Sequence, residues 1–273
     1  MVAAYGTEVP LWYTGQCPLI DGNRVILAPA GTNVLLTAID LRSGHSLWSV
    51  PNPGKWKMSH SCVVPMTIAD TPMYVYFALG GALGVSTNGA ILWQTDAWTP
   101  NIIAPSPVHL GNGLIFMTSG HGAGSIMLQI VKKNDVFTVL PPLQKWSCRE
   151  FSSEQQTPIW YNNSLYTILP KDGGPLRQRL RCMDIDGTIR WSSEGAARFG
   201  LGPYLIADNK MFILEDSGRL TMAQINDNFK ELASYRPLSG KEAWAPMAIA
   251  DGRLIMRDWK TMVCLDLRKK LHE

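Results

Sequence analysis

Along most of the chain, apolar and polar residues alternate in short runs broken by Asp-Gly, Asn-Gly or Ser-Gly pairs. The run CPLIDGNRVILAP starts at Cys17 and is followed by LLTAIDLRSGHSLW, which ends at Trp48. A second unit runs from Ser61 through MYVYFALGG and GVSTNGAILW to Trp93. A third ends less cleanly near Trp146, and a fourth, TPIWYNNSLYTIL then LRCMDIDGTIRW, ends at Trp191. Forty-five residues separate Trp48 from Trp93, and again Trp146 from Trp191. Period-two alternation between glycine turns predicts strands. A repeat of this length with four strand-like segments per unit is the signature of propeller blades.

The last two units, GPYLIADNKMFILEDSGRLTMAQI and APMAIADGRLIMRDWKTMVCLDL, keep the front half and drop the tryptophan. Pro18, Pro107, Pro158, Pro203 and Pro246 stand just before the first strand of their units, where a missing N–H costs no ladder bond. The expectation is an all-β chain with little helix: one propeller domain over residues 1–273, built of about six four-stranded antiparallel blades. These blades are expected near 16–50, 61–95, 105–146, 156–192, 202–235 and 245–268. Asp21-Gly22, Asn112-Gly113 and Asp251-Gly252 supply the positive φ of the first hairpin in each unit. Ser43-Gly44, Asn88-Gly89, Asp186-Gly187 and Ser217-Gly218 are assigned to the later hairpin. Trp48, Trp93 and Trp191 recur at one place in the repeat, so they are read as wedges between blades rather than ligand platforms.

Charge narrows the function classes. Charged residues make up 17% of the chain and the net charge is +3. The basic residues form no stripe, which argues against a nucleic-acid partner. Arg177, Arg179 and Arg181 alternate and read as a solvated strand face, and Arg268-Lys269-Lys270 is a short terminal run. No stretch of eighteen apolar residues is present, so the sequence predicts no transmembrane helix. Residues 1–12 lack the basic and apolar regions of a secretory signal. That fits a cytoplasmic protein, or a mature or partial form of an exported one. The five cysteines, Cys17, Cys62, Cys148, Cys182 and Cys264, show no CxxC pair and no zinc spacing, and they read as isolated small core residues. No metal site is expected.

Rim loops on a rigid propeller are the expected binding positions. Aligning the units on their first strands places Trp12, Tyr13, Gln16, His60, Ser61, Ser106, Gln155, Gln156, Arg198 and Trp244 at one rim. His60 and His121 sit among small residues, in MSHSC and SGHGAGS, with room to reach a ligand. No carboxylate partner for acid–base chemistry is found by spacing. The glycines around His121 precede a strand and no helix, so they do not form a phosphate cradle. No catalytic residues are assigned.

At AIDLRSGHSLW, MDIDGTIRW and MVCLDL the sequence resembles the PQQ-like (quinoprotein-type) propeller repeat. The stretches PLWYTGQCPLIDGNRVILAP, GPYLIADNKMFILEDSGRLTMA and AWAPMAIADGRLIMRDWKTMVCLDL are similar to the bacterial PQQ-binding-like β-propeller repeat proteins, a group that also resembles the BamB propeller. The resemblance implies an exported, periplasmic protein with seven or eight blades in the usual member, so that N-terminal blades are missing here. It also makes PQQ and Ca conceivable cofactors. Against this, the adjacent cysteines and the Glu/Asn/Asp calcium set of PQQ-dependent alcohol dehydrogenases have no counterpart. Two functions follow as expectations. One is a non-catalytic, monomeric scaffold that binds a protein or glycan partner at one rim in a bacterial cell envelope. The other is a quinoprotein-type oxidoreductase acting on an alcohol or sugar, with Trp244 or Trp12 as the floor beneath the quinone.

The sixth unit ends after three strands. Residues Val2–Trp12 are therefore expected to pair beside 261–267 as its fourth strand and close the ring, with an open arc as the competing picture.

Overall fold

The computed structural model describes residues 1–12, 14–196, 198–240 and 242–268. The chain opens with one helical turn, α1 (Val2–Tyr5). Strands β1 (Leu19–Asp21), β2 (Arg24–Leu27), β3 (Val34–Asp40) and β4 (Ser46–Pro51) form sheet one as an antiparallel meander. Sheet two repeats the pattern with β5 (Val64–Ile68), β6 (Thr71–Ala78), β7 (Gly81–Ser86) and β8 (Ile91–Thr95).

Sheet three contains β9 (Val108–Gly111), β10 (Leu114–Ser119) and the long β11 (Gly124–Lys133). Its outer strand is split into β12 (Val136–Val139) and β13 (Gln144–Trp146), which pair with opposite ends of β11. Pro141 and Pro142 lie in the break. Neither can donate a ladder hydrogen bond, so the strand cannot run through them. Sheet four comprises β14 (Ile159–Tyr161), β15 (Ser164–Ile168), β16 (Leu180–Asp184) and β17 (Ile189–Ser192), with a 3₁₀ turn at Gly174–Leu176 between β15 and β16. Sheet five holds β18 (Tyr204–Ala207), β19 (Lys210–Leu214), β20 (Leu220–Gln224) and β21 (Lys230–Tyr235); sheet six has three strands, β22 (Ala248–Ala250), β23 (Arg253–Arg257) and β24 (Met262–Asp266). Six antiparallel sheets with almost no helix make this an all-β propeller fold.

The first hairpin of each sheet is tight. Asn112-Gly113, Asn162-Asn163, Asp208-Asn209 and Asp251-Gly252 all have positive φ at both positions, as a type I′ turn requires. In sheet two the pair is Ala69-Asp70, with φ of 45° and 57°. An alanine there adopts a backbone region that usually favours Gly or Asn, which is why no turn signal marks it. Ser217-Gly218 connects β19 to β20, so it belongs to the middle hairpin and not the later one. That loop faces the opposite rim from the turn of Ser43-Gly44.

Apolar clusters between successive sheets hold the fold together. Ile26, Ala38 and Trp48 pack on Tyr74 and Tyr76; Met73, Val75 and Trp93 pack on Ile115 and Ile126. Phe116 and Met127 meet Leu165 and Met183. Tyr166 and Cys182 meet Met211 and Ile213, and Phe212 meets Leu254 and Met256. The outer-strand tryptophans sit in these seams. Trp48 donates its indole N–H to the carbonyl of Thr87 in the next sheet at 3.2 Å, and Trp191 does the same to Asn226 at 3.4 Å.

The register shows why. Trp48, Trp93 and Trp191 lie opposite Ala38, Gly84 and Cys182. Each partner is small enough to let the indole lie across the strand. The equivalent row in sheet six, Ala248–Ile255–Cys264, carries no outer strand among the described residues and faces solvent, with Ile255 43% exposed.

The N-terminal segment does not supply that strand. The carbonyl of Tyr5 accepts the N–H of Thr32 at 2.9 Å, Glu8 pairs with Lys57 at 2.7 Å, and Trp12 stacks on His121. Residues 2–12 therefore dock on sheets one to three, and the expected pairing with 261–267 is corrected. The carbonyl of Tyr5 lies where a side chain on residue 31 would stand, so Gly31 is what admits this docking. Among the described residues, sheet six is an open edge.

Candidate functional site

The connectors between sheets and the loops joining each second strand to its third lie at one rim. The inner strands start there in a repeated arrangement. The N–H of Cys17 donates to Sγ of Cys62 at 3.3 Å, that of Cys62 to Oγ of Ser106 at 3.0 Å, and that of Ser106 to Oγ1 of Thr157 at 2.9 Å. Each residue occupies the same place in its unit, so a girdle of N–H···S and N–H···O bonds ties four sheets together at the channel mouth. These N–H groups precede the strands and have no ladder partner, so the small thiol or hydroxyl of the next sheet satisfies them.

The residues singled out by sequence fall into three groups. Gln16, His60 and Ser61 come together next to the cysteines. Gln16 spans two sheets: its Nε2 donates to the carbonyl of Ser61 at 3.3 Å and to the Tyr76 hydroxyl at 3.4 Å, and its Oε1 accepts from the N–H of Ala28. His60 Nδ1 accepts the N–H of Gly15 at 3.3 Å. Ser61 is fully buried, and its N–H is held by Ser59 Oγ. Burial pushes the Tyr76 hydroxyl's pKa up, so it stays a neutral donor and acceptor. This group organises the rim from within.

The second group is Gln155, Gln156, Arg198 and Trp244 above sheets four to six. Gln156 Nε2 donates to the carbonyl of Trp244 at 3.3 Å, across two connectors. The Trp244 indole donates to Asp216 Oδ1 at 2.8 Å, and Lys171 Nζ lies 5.9 Å from its ring centroid. Arg198 turns away and donates to the carbonyls of Arg177 and Pro175. Half-buried Gln155 lines a narrow crevice with Gln156, Gly200 and Tyr204. Of the three arginines read as one strand face, only Arg181 is in β16; Arg177 and Arg179 belong to the loop before it. The intervening Gln178, at φ 59°, breaks the alternation.

The third group is Trp12 and His121. Their rings stack with centroids 5.7 Å apart and planes 25° from parallel. They stand beside a cleft of about 680 Å³ lined by Trp98, Thr99, Asn101, Ile102, His121 and backbone of the 120–123 loop. None of its lining residues is Asp, Glu, Lys or Arg. Trp12 is 53% exposed, and both it and His121 have positive φ, a costly conformation for side chains of this size. Tyr13 lies outside the described residues. Trp98 and Asn101, which complete the cleft, were not singled out by the sequence, because their unit carries no repeat signal between Trp93 and Pro107.

Radial sheets with a girdled channel mouth and a loop-built rim define a propeller of the PQQ-like repeat class. The chain belongs to the family described as outer membrane protein assembly factor BamB, whose pattern matches residues 4–175. No curated protein matches it by sequence.

Among solved structures it is similar to BamB from Moraxella catarrhalis, at 12% identity and a TM-score of 0.52, covering 92% of this chain and 84% of that one. The quinohemoprotein alcohol dehydrogenase from Comamonas testosteroni gives 12% identity and a TM-score of 0.63 over 94% of this chain, which spans only 52% of the enzyme. AztD from Citrobacter koseri gives 13% and 0.55, covering 92% and 68%. At such identities the likeness concerns the fold.

Proposed function

We propose that residues 1–273 form one propeller domain acting as a non-catalytic, monomeric scaffold of a bacterial cell envelope, and that it binds a protein or glycan partner at the rim. The observation that carries this reading is the cleft beside Trp12 and His121, whose lining contains no Asp, Glu, Lys or Arg. An exposed aromatic pair next to a concave surface of amide, hydroxyl and backbone hydrogen-bonding groups suits a sugar ring or an extended peptide. Membership of the BamB family supports an envelope setting, and no helix among the described residues is long and apolar enough to cross a membrane. A photo-crosslinker at position 121, compared with one at exposed Leu47 on the opposite rim, tests the reading in intact envelopes. Adducts at 121 alone are expected. Adducts at 47 alone, or none at 121, overturn it.

The oxidoreductase reading has the quinoprotein neighbour behind it. The residues present do not fit the cofactor well. Trp244, the expected floor, has its indole N–H engaged by Asp216 and Lys171 over its ring. Among the described residues, no three His, Cys, Asp or Glu side chains converge as a cation site. Titration with PQQ and Ca²⁺ by absorbance decides: stoichiometric binding with dye-linked alcohol oxidation replaces the scaffold reading.

A further inference from the structure

Cys17 and Cys62 are 45 residues apart, in the connectors that lead into different sheets, yet the backbone of one meets the thiol of the other at the channel mouth. The repeat brings them together, since each holds the last position before the proline or valine that leads into an inner strand. Sγ of Cys62 is 3.3 Å from the Cys17 nitrogen, which brings the two thiols near enough to perturb one another. The Cys17 thiol is pushed up first by the charge Cys62 would carry beside it, then by burial. The other cysteines differ. Cys148 and Cys182 are buried, and Cys264 is exposed on the far side of sheet six. Cys17 is exposed and Cys62 half-exposed, so a solution oxidant can reach the pair.

We propose that Cys17 and Cys62 are a reversible dithiol–disulfide pair that clasps sheet one to sheet two at the rim. Forming an S–S bond of about 2.05 Å asks the two sulfurs to draw together and the Cys17 N–H···S contact to give way. Residues 14–18 and 59–63 precede the strands and have no sheet ladder to resist it.

The oxidant is a small-molecule disulfide of the glutathione class. The thiolate of one cysteine attacks a sulfur of that disulfide, forming a mixed disulfide and expelling one thiolate. The second cysteine, once deprotonated, then attacks the protein sulfur of the mixed disulfide and expels the other. Two protein thiols are oxidised, one disulfide is reduced to two thiols, and the two protons pass to the leaving thiolates. Because Cys62 also donates its N–H to Ser106, the clasp fixes one link of the girdle covalently while the rest remain hydrogen bonds.

The test uses the purified full chain, reduced, desalted and equilibrated with oxidised and reduced glutathione at pH 8, then acid-quenched, alkylated and mapped by mass spectrometry. The expected product is one Cys17–Cys62 peptide pair, about 2 Da lighter than the reduced pair. Closing a loop of this length should raise the thermal midpoint by on the order of 5–10 °C. Cys17→Ser should leave Cys62 as a glutathione adduct, and Cys62→Ser should leave Cys17 as one. Two separate adducts in the native sequence, or free thiols at both positions in fully oxidised glutathione, would overturn the proposal without any variant having to fold. So would a bridged protein no more stable than the reduced one.

Discussion

The indole of Trp93 lies flat across Gly84, its register partner, leaving no room for even a methyl group on that residue. Trp93 is 4% exposed, and its N–H points at the sulfur of Met73 at 3.3 Å. This seam between sheets two and three is the best-packed version of a contact that the repeat makes several times. Trp93→Ala should therefore cost about 3–5 kcal/mol and Gly84→Ala about 1–3 kcal/mol from overpacking, read by urea unfolding. Trp191→Ala, at a half-buried site, should cost less than Trp93→Ala. The reverse order would show that the wedges are not packed as described.

Deleting residues 1–8 removes the carbonyl that holds Thr32 and the carboxylate paired with Lys57. Hydrogen exchange should accelerate at 30–34 and stay unchanged at 262–266. Loss of protection in β24 would mean that the segment clasps sheet six after all.

Two acid transitions are expected. Nε2 of His109 is buried without a partner, and burial depresses its pKa. As pH drops below about 6.5 the unfolded chain takes up a proton that folded His109 resists, so stability declines until the folded pKa is passed and then levels off. His109→Phe should flatten that window. Asp40, Asp186 and Asp258 are held below the usual carboxylate range, chiefly by the N–H groups of Ser43, Thr188 and Thr261. Their contribution is present above about pH 4 and lost as pH falls through their folded values. Thermal midpoints from pH 7.5 to 2 check both steps.

Asp216 accepts the N–H of Leu201 and the indole of Trp244, each at 2.8 Å. Asp216→Ala should cost about 1–3 kcal/mol from the orphaned donors. It should also shift tryptophan emission to the red, and the shift should vanish in a Trp244→Phe background. An unchanged spectrum would show that the indole is held by something else.

The fold was legible because the repeat writes itself in turns and tryptophans. Asp251-Gly252 and Trp191 can each be placed from the sequence, since only a few residue types satisfy a positive φ or fill a seam between sheets. Ala69-Asp70 could not be read as a turn, because its conformation is imposed by the strands on either side. The split of β12 from β13 is written in Pro141-Pro142 but is masked by the weak repeat around it. The rim was legible as a rim, less so as a site. Gln156 and Trp244 were placed together through their equivalent positions. The pairing of Trp12 with His121 depends on how a connector folds back over a distant hairpin. Cys17 and Cys62 looked isolated because their spacing is that of the repeat rather than of any metal or disulfide motif.

The uncovered face of sheet six has a mechanical consequence. Each sheet rests on its neighbours in the chain, so the described residues behave as a stack of springs in series whose last member is covered on one side only. Under tension applied through the C-terminus, β24 should peel first and the sheets should release in descending order, giving a staircase of small rips in place of one large one. A covalent link between sheets one and two would leave the early steps of that staircase untouched and shorten only the last, because the chain between the linked residues would be bypassed by the load.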